Sequence, residues 1–151
     1  MKFQISKYLP AAFIAFVFIQ SLFYKFSDAP ETIYIFSTLG EWSGLDFFGA
    51  YGAYIIGTAE LIASILLFSR WHGLGALLAT GLMSGAVFFH LFTPLGIRMP
   101  AYDAAGRVIG DDGGLLFGMA CLILLCAIYL TLKDLQSEQG ILHRLVKRSH
   151  S

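Results

Sequence analysis

Glu60 stands near the middle of an apolar run, Ala50 to Phe68, and Lys25, His90 and Gln20 are the other charged, imidazole or amide side chains set in comparable runs. A carboxylate at the centre of a membrane-length helix costs about 2.5–3.5 kcal/mol on insertion scales, so it calls for a partner or a task. An imidazole or an ammonium beside it would set its charge state and make a proton relay or a ligand-binding pair. The same groups would equally serve as a structural ion pair or hydrogen bond that fixes helix register. Metal binding is not expected: one Glu and one His leave a coordination sphere unfilled, and His72 belongs to the opposite membrane face. Asp103, Asp111 and Asp112 read as caps and solubilising charges ahead of a cation site.

Those side chains must be held at compatible depths. At about 1.5 Å per residue, Glu60 is near the midplane, Gln20 roughly 4–5 Å outward, His90 about 10 Å and Lys25 about 12 Å outward. The inner half of the bundle carries no ionisable residue. Stepping by three and four from Glu60 reaches Ala53, Ile56, Gly57, Ala63 and Ser64, with Gly49 a turn further, a small-residue stripe that aims Glu60 into a bundle. The His90 face carries Ala76, Ala79, Met83 and Ala86. Gly81 and Gly85 form a GxxxG on the other side, predicting helix contacts on both flanks. Phe13, Phe16, Phe23 and Tyr24 on the Gln20 side, with Phe88 and Phe89, are candidates to line an apolar pocket for a quinone or isoprenoid ring; ordinary core packing is the competing role.

The elements that position them are membrane spans. Charged residues are 13% of the chain against a usual ~25%, and apolar residues reach 57%, too many for a water-soluble surface. The net charge is zero, so no basic patch points to nucleic acid. Four runs meet the ~20-residue length test: 8–26, 50–68, 74–92 and 115–132. The first ends in Phe23-Tyr24-Lys25-Phe26 with no small-residue cleavage site, so it reads as a retained signal anchor. Cys121 and Cys126 lie about 140° apart on a helix and make no redox dithiol.

Lys2, Lys7, Arg70, Lys133, Arg144, Lys147 and Arg148 fall on one side of these spans, against Lys25, Arg98 and Arg107 on the other. The positive-inside rule therefore places both termini in the cytoplasm of a bacterial inner membrane. Residues 69–73 make a tight turn between antiparallel neighbours. In the first outer loop Pro30-Glu31 starts a short interfacial helix that reaches Gly40, with Asp28 as its expected cap and Trp42, Phe47, Phe48, Tyr51 and Tyr54 as an aromatic belt. The second outer loop predicts a hairpin, Tyr102-Asp103 and Val108-Ile109 flanking Ala104 to Arg107, with Asp111-Asp112 capping the fourth span. Ile141, Leu142, Leu145 and Val146 among basic residues predict an amphipathic cytoplasmic tail. The fold class is thus an all-α, four-helix integral membrane bundle over 1–132 with a basic amphipathic tail over 133–151.

Gln20-Ser21-Leu22-Phe23-Tyr24-Lys25-Phe26, Gly57-Thr58-Ala59-Glu60-Leu61 and Gly85-Ala86 with His90 resemble the DoxX-like membrane proteins, a group that takes in DoxX, DoxD and MauE-like members. The resemblance covers nearly the whole layout. It implies a four-helix membrane bundle linked to redox systems: a subunit of a thiosulfate:quinone oxidoreductase, or accessory factors for amine dehydrogenase maturation and oxidative-stress complexes. Related eukaryotic members act as chaperones or cargo receptors. It marks Lys25, Glu60 and His90 as the family-like polar residues and brings in a quinone as the ligand to test. Two features depart from the group: the cysteines form no thiol-disulfide motif, and the loop from Thr93 to Gly114 is long.

Three functions follow as expectations. The first is an accessory component of a membrane redox system, binding quinone near Glu60, His90, Lys25 and Gln20. The second is a non-catalytic assembly factor with a membrane or periplasmic protein partner. The third is a small proton-coupled carrier, which would need a homo-oligomer. No nucleophile–base pair or cofactor fingerprint is present, so catalysis by this chain alone is not expected.

Overall fold

The computed structural model describes residues 2–149, with side chains from residue 7 onward. The Lys2 side chain and the last residues of the tail, 150–151, lie outside that part. The element order is α1 (Lys2–Phe26), α2 (Pro30–Ser43), α3 (Asp46–Leu67), α4 (His72–Phe92), β1 (Pro100–Tyr102), β2 (Val108–Asp111), α5 (Leu115–Gln136) and α6 (Ile141–Ser149). Four helices are long and apolar enough to cross a membrane: Lys7–Phe26, Asp46–Leu67, His72–Phe92 and Leu115–Gln136. Hydropathy marks only the apolar part of a helix. Backbone hydrogen bonding carries α3 back to Asp46 and α5 on through Lys133 and Asp134 to Gln136, beyond the runs read from the sequence.

The four long helices form a ring in which α1 packs on α3, α3 on α4, α4 on α5 and α5 on α1. Each contributes a buried stripe at alternating spacings of three and four, the repeat that keeps one face of a helix inward. On α1 the stripe is Ala11, Ile14 and Phe18, on α3 Gly57, Glu60, Ser64 and Leu67, on α4 Ala76, Ala79 and Met83, and on α5 Ala120, Ile123, Ala127 and Leu130. Half of these side chains are glycine, alanine or serine, so the helices approach closely. Thr80 and Thr131 add a polar contact between α4 and α5, Oγ1 to Oγ1 at 3.1 Å; each hydroxyl is also within reach of the carbonyl one turn back in its own helix, so two protons serve three contacts.

The two ends of the ring differ in what closes them. One end, here the turn end, holds the α3–α4 turn and α6. The other, the hairpin end, holds α2 and the β1–β2 hairpin. There a second core of Leu39, Leu95 and Met99 packs with Tyr34, Ile35, Phe48 and Phe89. α2 crosses α3 at Gly40 and Gly49, where a Cβ on Gly40 would lie 2.7 Å from the Gly49 Cα, so this approach leaves no space for a side chain on Gly40. Of the residues expected in an aromatic belt, Trp42, Phe47, Tyr51 and Tyr54 are exposed around this end, whereas Phe48 packs into the second core.

Three local expectations need correction. Asp28 does not cap α2: Ala29 does, in the extended conformation favoured before Pro30, and Asp28 turns the chain with φ 51°. α2 also runs past Gly40 to Ser43 and ends at Gly44 in the left-handed conformation, which glycine adopts without a Cβ clash. Gly81 and Gly85 make no helix contact, since a Cβ built on either meets no atom within 4 Å. The hairpin forms as expected, antiparallel, with a register shift between Ala101 and Tyr102.

Candidate functional site

Glu60 is buried, and its carboxylate is held from α1. Lys25 Nζ lies 3.0 Å from Oε2 and 3.2 Å from Oε1, and Ser21 Oγ donates to Oε2 at 2.7 Å. Lys25 also donates to Ser21 Oγ at 2.9 Å. Ser21 Oγ lies 2.8 Å from the Phe18 carbonyl as well, so its single proton has two acceptors within reach. The spacing that produces this is plain in α1. The buried stripe Ala11, Ile14, Phe18 continues by three and four to Ser21 and Lys25, which puts both on the face that meets α3. Gly57, one turn from Glu60, lets the Leu22 and Phe26 side chains come against the α3 backbone. The three N–H groups of the ammonium are thus matched by two carboxylate oxygens and one hydroxyl. Oε1, which takes one of those contacts, keeps room for a further donor.

His90 occupies another part of the same region. It is buried, its ring packs edge-on against Phe117 at 5.7 Å, and Nδ1 donates to the Gly96 carbonyl at 2.6 Å. A carbonyl can only accept, so Nδ1 carries a proton, and Nε2 is the ring nitrogen turned away from this bond. This bond ties the end of α4 to the loop that leads into the hairpin. Asp112 holds the other end of that loop, accepting from the backbone N–H groups of Met99 (2.9 Å), Gly114 (2.9 Å) and, in the first turn of α5, Leu116 (3.2 Å). Partial burial of Asp112 opposes ionisation, but these three amides outweigh it, and its carboxyl titrates below the usual range.

A cavity of about 500 Å³ connects these groups. Its walls come from α1 to α5, with Leu95 of the loop, and among the described residues its polar side chains are Ser21, Lys25, Glu60 and His90. Phe18, Phe36, Phe48 and Phe89 supply flat apolar surface. Gly81 and Gly85 lie along its α4 side and leave it open there, the role that replaces the helix contact expected of them.

The structure therefore brings together Lys25 and Glu60 in direct contact and sets His90 on the wall of the same cavity, bonded to a loop carbonyl. Gln20 is elsewhere: it is exposed on the outer face of α1 with Phe16, Phe23 and Tyr24. Of the aromatic residues expected to line a pocket, Phe89 does so, while Phe88 is exposed. Ser21 is the residue that the sequence reading passed over. It lies one position from Gln20, about 100° around the helix, and the signal for it was its four-residue spacing to Lys25. Cys121 and Cys126 are unpaired thiols on α5. Asp103 is committed to its own turn, accepting from the amides of Ala105 and Arg107 and from the Arg107 guanidinium. No family model, curated protein or solved structure matches the chain.

Proposed function

We propose that this chain is a DoxX-like integral membrane protein, an accessory subunit of a membrane redox system, that holds a quinone-class molecule in the cavity beside Glu60 and His90. The observation that carries the ligand is the cavity itself. Its volume falls in the range of small-molecule sites, its walls are apolar and aromatic, and a few polar groups stand on them to orient a guest. The redox role rests on the resemblance of the segments around Lys25, Glu60 and His90 to the DoxX-like group.

The four apolar helices supply the span, and the excess of Lys and Arg at the turn end supports cytoplasmic termini in a bacterial inner membrane. A ring stacks among Phe18, Phe36, Phe48 and Phe89, while an isoprenoid tail leaves along Gly81 and Gly85. A quinol hydroxyl donates to His90 Nε2 or to Glu60 Oε1, the acceptors left open by their present partners. Lys25 and Ser21 keep Glu60 paired in the absence of a guest, which makes the site stable when empty. The chain is asked only to bind and orient, since its residues supply no redox centre of their own.

Native mass spectrometry on protein extracted gently from membranes tests this. The wild type is expected to carry one quinone-class molecule per chain. Gly81→Leu and Gly85→Leu have room for the added side chain, so they should remain folded and come out empty. Wild type that carries no small molecule would defeat the reading. A second reading, an assembly factor, is favoured by one observation: Val108 and Ile109 of β2 are exposed apolar residues on a hairpin outside the bundle. It predicts a co-purifying polypeptide that is lost on Val108→Ser with Ile109→Ser and retained in Gly81→Leu.

A further inference from the structure

At the turn end, a groove of about 840 Å³ separates the α3–α4 turn from α6. Arg70 and Trp71 form one side, the guanidinium lying 5.2 Å from the indole ring. Arg144, Lys147 and Arg148 line the other, with Leu145 as apolar surface between them. Among the described residues no acidic side chain lines it. The nearest turn of α5 does carry Asp134, but that carboxylate accepts from the Leu142 amide at 2.8 Å at the start of α6. α6 is therefore seated: Leu142 is buried, and the His143 ring bonds the Leu135 carbonyl at 2.9 Å. Ile141, Arg144, Leu145 and Arg148 follow the three-and-four helical repeat, so seating Leu142 aims this mixed basic and apolar face at Arg70 and Trp71.

Four cations around one groove, with exposed Trp71 and Leu145 beside them, match a ligand that is anionic at one end and apolar at the other. The groove lies at one end of four membrane-length helices, the level at which a leaflet would meet water around a spanning bundle. We propose that it binds the phosphate headgroup of an anionic phospholipid, clamped between Arg70 on the turn and Arg144 on α6. Guanidinium groups suit this task because they bond phosphate oxygens in pairs, and Trp71 sits as an interfacial aromatic does, against the glycerol and upper acyl chain. The site is separate from the cavity of the hairpin end and does not depend on what that cavity holds.

The test is retention of lipid by the purified protein after exchange into discs of phosphatidylcholine doped with phosphatidylglycerol or cardiolipin, read by native mass spectrometry. Wild type is expected to retain the anionic lipids roughly tenfold or more over phosphatidylcholine, and each cation removed (Arg70→Gln, Arg144→Gln) to lower that ratio about fivefold. The thermal midpoint should stay unchanged, because these side chains lie at the surface. Arg144→Lys should keep most of the preference. Equal retention of phosphatidylcholine, or a preference unmoved in the folded Arg70→Gln, Arg144→Gln protein, would overturn the proposal. So would displacement by millimolar inorganic phosphate, which would make the site one for a soluble anion.

Discussion

Lys25 and Glu60 meet at 3.0 Å between α1 and α3, and Arg107 and Asp103 meet at 2.8 Å across the hairpin turn, yet these two ion pairs do unlike work. The first joins helices far apart in sequence, with 16% and 4% of its side chains exposed. The second joins residues four apart, with the Arg107 side chain 79% exposed. In the turn, Asp103 is already held by two backbone amides, and water screens the guanidinium, so the ion pair follows a geometry set by the chain. Between the helices both side chains are largely withdrawn from solvent, so each charge depends on the other. Contact distance does not rank ion pairs; what remains when one member is removed does.

The largest effect should come from Lys25→Met, which leaves the Glu60 carboxylate buried with only Ser21. A loss of about 3–5 kcal/mol is expected, read by unfolding in mild detergent. Adding Glu60→Leu to that variant should recover most of the stability while abolishing retention of a cavity ligand. A double variant as unstable as Lys25→Met alone would mean that packing, not charge, is what α1 and α3 share. Glu60→Gln keeps an acceptor for Lys25 and Ser21 and should cost about 1–3 kcal/mol.

Smaller changes belong to the hairpin. Asp112→Ala removes the acceptor for the Leu116 amide at the start of α5 and should cost about 1 kcal/mol, with faster hydrogen exchange at Met99 and Leu116. Because the folded carboxyl of Asp112 titrates below its ordinary value of 3.8, its contribution is full above that value. It is lost as pH falls through the lower, folded value, and exchange at the same amides reports it. Arg107→Ala should leave the thermal midpoint unchanged. A measurable fall there would break the contrast between the two pairs, because it would give a surface pair the weight reserved for the buried one.

Much of this architecture was legible from residue types alone. Four apolar runs, the tight turn, the short helix α2 between the first two runs and the hairpin follow from hydropathy and turn residues, which act over a few neighbours. The inward aim of Glu60 followed from the small residues at three and four positions around it, and Ala53, Gly57, Ala63 and Ser64 are indeed buried with it. The choice of partner was less accessible. Lys25 and His90 both sat at a depth from which Glu60 seemed reachable, and Gln20 was nearer its level than either.

Sequence by itself determined that a carboxylate would be buried in a bundle of apolar helices, because the cost of a charge in hydrocarbon and the helical period are local properties. Tertiary structure alone decided that Lys25 and Ser21 would hold it, that Gln20 would face outward and that His90 would bond Gly96. Those outcomes turn on rotation of α1 about its axis, where one residue means about 100°, and on which helices are neighbours in the ring. The cavity is of the same kind. Gly81 and Gly85 read as a packing motif until no helix was found against them, since an opening is defined by what the other elements leave unfilled.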